Sequence, residues 1–141
     1  MRCALYTALV LLACLNSAFA EVRIEASPGG DVLGFLKLFA VLRQSGERVV
    51  IDGPCLSACT LVLSSIPRKR ICVTRRAILG FHAPKLVDEY GDEFHAGVIT
   101  HAVDAAYPAP VRAWIKRHGG LTDKPIFLYG RALASIYPVC R

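Results

Sequence analysis

The segment that decides the fold is Gly53-Pro54-Cys55-Leu56-Ser57-Ala58-Cys59. It follows the apolar run Arg48–Asp52, which is predicted as a buried strand, and it leads into an apolar stretch, Ser57–Ile66, which is predicted as a helix. Ser57 therefore stands where a strand meets a helix, behind a Gly-Pro turn. The serine hydroxyl has two interpretations here: it is a helix N-cap, or it is the nucleophile of an acyl-transfer centre.

A second informative segment is Leu79-Gly80-Phe81-His82-Ala83-Pro84. Two short strands are predicted around the Arg75-Arg76 turn, over Arg70–Thr74 and Ala77–His82, so that His82 closes the second strand. Alone, this histidine is better interpreted as a hydrogen-bonded strand-end residue than as a general base. Upstream, Ser27–Gly30 contains a glycine pair that can present bare backbone amides. Serine, histidine and an amide site are the parts of an acyl-transfer centre.

The remaining elements favour a parallel sheet covered by helices. A strand is predicted over Glu21–Ala26, and a helix over Asp31–Gln44 that Asp31 begins and Gly46 ends. Leu33, Leu38 and Val41 widen the apolar face of this helix, which predicts that it is largely buried. Further predictions are an exposed loop over Lys85–Glu93, a helix over Phe94–Ala106 with Val98, Ile99, Ala102 and Ala106 inward, a helix from Pro110 to His118, and a weakly patterned tail from Leu121.

The order of these segments resembles the Clp protease proteolytic subunit and the wider crotonase-like superfamily. The matching motifs are Ser27–Gly30, Ser57-Ala58, Lys69–Cys72 and Phe81–Pro84, and the resemblance extends from about Ile24 to Gly120. It is strongest to small exported bacterial members with a Cys-x-Ser-Ala-Cys motif. The resemblance implies an α/β fold of crotonase/Clp-protease-like type in one domain over residues 21–141. Its small, mostly parallel sheet would be covered by helices and shortened at the N-terminal side.

The resemblance also implies roles for single residues. Ser57 would be the nucleophile, His82 its base, and the amides of Gly30 and Ala58 the oxyanion hole. The implied protein is an exported, peptidase-like serine hydrolase acting on a peptide or a small acyl substrate. A homo-oligomer is one way to complete the shortened sheet.

The acid of the expected triad is missing. The family's Tyr-Gly-x-x-Asp motif is echoed at Tyr129–Leu133, where Leu133 stands in place of the aspartate. Asp104 and Asp123 are candidate substitutes, and Lys85 is a candidate base in a Ser-Lys scheme. The alternative function is a catalytically degenerate binding or assembly protein that keeps the fold. Acyl-CoA chemistry of the crotonase type suits the fold but not an exported location.

Four cysteines follow the first twenty residues: Cys55, Cys59, Cys72 and Cys140. An even number in an exported chain predicts two disulfides, with three connectivities open. A zinc site built from the first three cysteines and His82 is the weaker alternative, because only one closely spaced pair exists. The pair that flanks Ser57 is interpreted either as a staple of a tight turn or as a redox gate on the serine.

The chain is basic, with a formal net charge of +6, and part of this charge is clustered at Arg68–Arg70 and Arg75-Arg76. The clusters are either a patch for anionic partners or two solvated turns. No nucleic-acid module supports the first interpretation. No motif predicts a metal or a cofactor.

Residues 1–20 have the features of a secretion signal. Arg2 precedes the apolar stretch Ala4–Leu15, and Ala18-Phe19-Ala20 fits the small-x-small cleavage rule. The apolar stretch is short for a membrane span. The predicted location is periplasmic or secreted, and a lipoprotein anchored through Cys14 is the less favoured alternative.

We expect the exported chain to begin at Glu21, because cleavage follows Ala20 in the predicted signal. Intact-mass measurement of the protein recovered from the exporting cell tests this. A chain that begins at a lipid-modified Cys14, or one that retains Met1, contradicts the prediction.

Overall fold

A computed structural model describes residues 20–141, so the predicted signal peptide lies almost wholly outside the described residues. The elements, in chain order, are β1 (Glu21–Ile24), α1 (Val32–Ser45), β2 (Arg48–Ile51), β3 (Pro54–Leu56), a 3-10 helix (Ser57–Leu61), α2 (Val62–Ser65), a 3-10 turn (Arg68–Arg70), β4 (Ile71–Val73), β5 (Ile78–Phe81), β6 (Lys85–Val87), β7 (Glu93–His95), α3 (Gly97–Ala106), α4 (Ala109–Arg117), β8 (Ile126–Tyr129) and α5 (Gly130–Ala134). The chain is thus mixed α/β, as the sequence predicts. Within residues 20–141 the helices are too short or too polar to span a lipid bilayer.

The main strands form two small sheets rather than one. The first has the order β1-β2-β4 and is parallel throughout. The second has the order β3-β5-β8, in which β3 and β5 are parallel and β8 is antiparallel to β5. The chain passes from the first sheet to the second twice: β2 continues into β3, and β4 continues into β5. The apolar residues of β2 and β4, and Leu79 and Phe81 of β5, are almost completely buried.

The junction between the two sheets is held by a buried carboxylate. Asp52 lies between β2 and β3, and its side chain is only 9 % exposed. Its two oxygens accept hydrogen bonds from Arg23 on β1 (2.9 Å), from Thr74 (2.6 Å), and from Arg76 in the turn before β5 (3.1 Å for Nε). These bonds, with the one from Arg76 the most important, hold the pKa of Asp52 well below its usual range. One side chain therefore links all three strands of the first sheet to the start of the second.

The residue after this carboxylate must be glycine for steric reasons. A Cβ atom on Gly53 would lie 1.7 Å from the carbonyl oxygen of Glu25. The backbone of the β1 path therefore passes directly over the β2–β3 junction, and Asp52 N donates to Ile24 O there (2.8 Å).

Two disulfides are present, as the cysteine count predicts, and the structure selects their connectivity. Cys55 pairs with Cys59 four residues later, and Cys72 pairs with Cys140 across a separation of 68 residues. On the chain-entropy model, closing the short loop contributes about 2 kcal/mol to stability and closing the long loop about 4 kcal/mol. The second bridge also fixes the C-terminal segment against β4, where Val73 N donates to Pro138 O and Cys140 N donates to Val73 O, both at 3.0 Å.

The basic clusters divide between structure and solvent. Arg70 donates to the carbonyl oxygens of Leu42, Arg43 and Glu47 and so caps the C-terminal end of α1. Arg76 is committed to Asp52. These two arginines are therefore structural, which favours the interpretation of the clusters as turns rather than as a dedicated anion patch.

Helix α1 has the predicted ends but not the predicted burial. Asp31 accepts from the amides of Leu33 and Gly34, and Gly46 ends the helix with φ +80°. Only Phe39 and Leu42 are buried, whereas Leu33, Leu38 and Val41 are 65 %, 51 % and 63 % exposed. The prediction of a largely buried helix was wrong, because α1 packs on one side only, against the segment Ser57–Ser65.

Three other predictions also need correction. The segment predicted as a helix over Ser57–Ile66 begins as a 3-10 helix and becomes α-helical only at Val62. The predicted loop Lys85–Glu93 is a hairpin whose turn is closed by Asp88, which accepts from the amides of Tyr90 and Asp92. Helix α3 accordingly begins at Gly97 and buries no side chain fully; the four residues predicted to point inward there are exposed or only half-buried.

The weakly patterned tail contains two elements that the sequence did not predict, β8 and α5. Leu128 and Leu133 are buried within them, and Ile136 and Tyr137 follow in the core. Leu133, which stands at the sequence position of the family's triad acid, packs in the hydrophobic core.

Replacing Asp52 with asparagine should lower the melting temperature, since the arginine pairs are lost. A carboxyl group whose pKa is depressed by folding stabilises the folded state above its unfolded pKa, about 4, and this contribution is lost as the pH falls further. The difference in melting temperature between wild type and Asp52→Asn should therefore be full at pH 7 and shrink below about pH 4. The exposed Glu89→Gln serves as the control and should match wild type. A difference that does not change with pH contradicts the assignment.

Candidate active site

Ser57 has an unusual backbone conformation. Its φ is +54°, and among residues 20–141 it is the only non-glycine residue with a positive φ. A left-handed serine is costly, of the order of 1–3 kcal/mol, and such residues are concentrated at functional sites. The N-cap position of the following helix belongs to Leu56, and no side chain caps that helix. The N-cap interpretation of Ser57 is therefore wrong.

The turn at Ser57 is supported from inside the domain. The carbonyl oxygen of Ser57 accepts a hydrogen bond from Thr60 Oγ1 (2.6 Å), and this hydroxyl is itself 2.6 Å from the hydroxyl of Tyr107. Both partners are buried, and burial raises the pKa of Tyr107 to about 12. Tyr107 is thus a neutral, buried phenol that supports the turn through its hydrogen bond with Thr60. Nothing in the sequence indicated this role.

The glycine pair lies directly against Ser57. Ser27 pairs with Cys55 in a parallel bridge, and Leu56 N donates to Ser27 O (2.9 Å). This brings Gly29, with φ +88°, so close that a Cβ atom there would lie 2.6 Å from the Cβ of Ser57 and 3.1 Å from the amide nitrogen of Ala58. The structure therefore places the Gly29 backbone against Ser57 and the Ala58 amide. The oxyanion hole of Gly30 and Ala58 stays a prediction.

His82 lies at the end of the strand next to Ser57. Strands β3 and β5 are parallel, with Leu56 opposite Gly80. Ser57 and His82 therefore follow the carboxyl ends of adjacent strands, with an offset of one residue, and neighbouring strands are about 4.8 Å apart. The imidazole is half-buried. No direct hydrogen bond joins the two side chains in the described part of the chain, and such contacts often tighten only when substrate binds.

The tautomer of His82 is set by the backbone. Its Nδ1 lies 2.7 Å from the carbonyl oxygen of Ala83. A carbonyl only accepts hydrogen bonds, so Nδ1 carries the hydrogen of the neutral ring and Nε2 keeps its lone pair. The Ala83 peptide is itself fixed, because Ala83 N donates to Thr122 O (2.8 Å). A main-chain carbonyl therefore fixes the orientation of the His82 ring.

None of the proposed substitutes for the acid is bound to His82. Asp123 is 70 % exposed and pairs with His95 Nε2 at 2.7 Å. Lys85 forms an ion pair with Glu93 that raises the pKa of the lysine, so Lys85 stays protonated and is unsuited to act as a base. Continuing the antiparallel register of Phe81 with Ile126 by one residue places Pro125 opposite His82, and proline offers no polar side chain.

The other histidines have separate surroundings. His118 stacks on Trp114 with ring centroids 4.0 Å apart, and its Nδ1 lies 2.8 Å from Trp114 O. His95 belongs to the hairpin and pairs with Asp123. Within residues 20–141 no group of three or more His, Cys, Asp or Glu side chains is placed to bind a metal ion, and all four predicted cysteines are in disulfides.

Two depressions are lined by residues that neighbour Ser57 and His82 in the chain. An apolar groove of about 340 Å³ is lined by Pro54, Leu56, Ile78, Phe127 and Tyr129. It lies over Gly80, where an added Cβ would meet Leu56 at 2.6 Å and Phe127 at 3.2 Å. Alternation along β5 places His82 on this same face of the sheet. A wider, open depression of about 1210 Å³ lies between Ala83, α3, α4 and the loop at Asp123.

Comparisons with known proteins show the fold and no more. No family model matches the chain, and no curated protein matches its sequence. A solved structure of a ClpP1 variant from Listeria monocytogenes is 14 % identical, with 94 % of this chain and 79 % of that chain covered and a TM-score of 0.48. A crystal structure described only as that of an enzyme is 6 % identical, with 98 % and 86 % covered and a TM-score of 0.56. The predicted α/β class is confirmed, and membership of the crotonase or Clp group stays a prediction.

Replacing Gly29 with alanine should disturb Ser57 specifically. The new Cβ would meet both the Ser57 Cβ and the Leu56 carbonyl at 2.6 Å, so the turn or the glycine pair must move. Gly46→Ala is the matched control: its φ of +80° carries a similar backbone strain, of about 1–2 kcal/mol, with nothing within 4 Å of the new atom. We expect Gly29→Ala to lose clearly more stability than Gly46→Ala in urea unfolding. Equal losses in the two variants contradict the close contact.

Proposed function

We propose that this protein is an exported serine hydrolase-like protein, peptidase-like in its chemistry, that acts through a dyad of Ser57 and His82. The observation that carries the proposal is the register of β3 and β5, which sets a left-handed serine and a histidine at adjacent strand ends with the Gly29 backbone packed on the serine. The resemblance of the motif order to Clp-type proteases supports the same assignment.

In the proposed reaction, Nε2 of His82 takes the hydroxyl proton of Ser57 as the serine oxygen bonds to a substrate carbonyl carbon. The resulting oxyanion accepts hydrogen bonds from the amides of Gly30 and Ala58. Gly30 is suited to this, because its amide donates to no other group in the described part of the chain. The imidazolium then protonates the leaving group, and water, activated by the same nitrogen, releases the acyl group from the serine.

The missing acid should make the site slow rather than inert. Exchanging a triad aspartate for its amide costs about 10,000-fold largely because the imidazole adopts the wrong tautomer. Here the Ala83 carbonyl keeps the correct tautomer. What is lost is the stronger hydrogen bond that the imidazolium would donate to a charged acceptor, about 1–2 kcal/mol, or roughly 5- to 30-fold in rate.

The apolar groove supports a substrate with an apolar group beside the reacting carbonyl, whether a peptide side chain or a small acyl chain. It adjoins Leu56, the residue before the nucleophile, and lies on the face of the sheet that carries His82. No cofactor takes part in the proposed reaction.

The second candidate is a binding or assembly protein that keeps the fold without catalysis. The observation that favours it is the absence of any carboxylate bonded to His82 in the described residues. A homo-oligomer would also favour this candidate, since a second copy that completes the small sheet suits an assembly role.

Labelling by a fluorophosphonate probe separates the two candidates. The oxidised wild-type protein should be labelled on Ser57, and Ser57→Ala should lose the label, whereas Ser135→Ala, at an exposed serine of the C-terminal helix end, should keep it. His82→Ala should slow labelling by about 100-fold or more, because general-base assistance is lost. Labelling that persists in Ser57→Ala, or a wild-type protein that is not labelled, contradicts the hydrolase and leaves the binding protein.

A further inference from the structure

The disulfide between Cys55 and Cys59 encloses the proposed nucleophile. It joins the centre of β3 to the 3-10 helix, and Ser57 is the middle residue of the loop that it closes. The other disulfide lies elsewhere, between β4 and the C-terminal segment, and touches none of the proposed site residues.

The segment that carries Ser57 needs an external constraint. Its φ of +54° is unfavourable for serine, and the residues after it form a 3-10 helix, whose hydrogen bonds are weaker than those of an α-helix. No side chain caps this helix. Gly29 contacts the turn from one side, and the Thr60 hydroxyl donates a hydrogen bond to the Ser57 carbonyl. The covalent link across the turn is the disulfide.

We propose that the Cys55–Cys59 disulfide is a redox-dependent clamp that keeps Ser57 in its reactive conformation, so that the site works only when this bond is oxidised. The proposal rests on the hydrolase function for its activity readout. With the bond broken, Ser57 returns to a negative φ, and its hydroxyl and the Ala58 amide leave the positions proposed for catalysis. Re-formation of the bond restores the site.

The switching reaction is an ordinary thiol–disulfide exchange. A thiolate of a dithiol reductant attacks one sulfur, and the S–S bond breaks. The second thiol of the reductant then completes the exchange, so that both cysteines become thiols and the reductant becomes a disulfide. Two electrons and two protons are transferred to the protein. Both cysteine residues are at most 1 % exposed, so exchange requires local opening of the Ser57–Leu61 helix. Reduction of the folded protein should therefore be slow and dependent on local, rather than global, unfolding.

Removing each disulfide separately tests the clamp, and the second disulfide provides the matched control. Cys55→Ala/Cys59→Ala should lower the fluorophosphonate labelling rate of Ser57 by about 30-fold or more, with a small fall in melting temperature. Cys72→Ala/Cys140→Ala should lower the melting temperature further, since it opens the longer loop, yet label within about threefold of wild type at a temperature where it is folded. Hydrogen exchange of the amides at Ser57–Leu61 should accelerate only in the first variant.

Reversal provides an independent measurement should the first variant fail to fold. In the Cys72→Ala/Cys140→Ala background only the clamp remains, so dithiothreitol should abolish labelling and removal of the reductant in air should restore it. Labelling that survives reduction of this bond, with thiol counting showing two free cysteines, overturns the proposal. So does unchanged hydrogen exchange at Ser57–Leu61 on reduction. This last readout does not depend on activity, so it still decides the clamp if the wild-type protein is never labelled.

Discussion

The arrangement of the candidate site depends on the carboxylate of Asp52. It sits where β2 passes into β3, and its hydrogen bonds from Arg23, Thr74 and Arg76 fix this crossing relative to β1 and to the turn before β5. The serine and histidine stand at the far ends of β3 and β5, only a few residues beyond. Their relative position therefore depends on the directions in which β3 and β5 leave the junction, and the hydrogen bonds and ion pairs of Asp52 hold the two strands there.

Much of the first half of the fold could be predicted, because local chemistry decides it. Asp31 and Gly46 mark the ends of the first helix, and the run Val49–Ile51 has the composition of a fully buried strand. The last strand could not be found in the same way. In β8 only Leu128 is buried, while Phe127 and Tyr129 are large, apolar and exposed, so hydrophobicity does not alternate with burial. The exposed leucines of the first helix misled the burial prediction for the same reason: residue type alone does not show which apolar face has a neighbour.

The site divides along similar lines. Ser57, His82 and the glycine pair were singled out from motif order, and their catalytic roles stay predictions. Two groups that fix their surroundings were not predicted. The carbonyl of Ala83 orients the His82 ring, and the hydroxyl of Tyr107 supports the Ser57 turn through Thr60, a residue distant from Tyr107 in the chain. Leu133, which stands where the family motif has its aspartate, is an apolar residue of the hydrophobic core.

The pairing of the C-terminal segment with β4 affects how the protein behaves in concentrated solution. β4 is the outer strand of the first sheet, and an uncovered edge strand is a template for pairing with another chain. Residues 138–140 occupy that edge, and the bond from Cys72 to Cys140 keeps them there. Beyond its contribution to folding, this bridge therefore limits edge-to-edge association: a molecule in which it is reduced, or cut back before Cys140, exposes the Val73 amide and carbonyl to its neighbours.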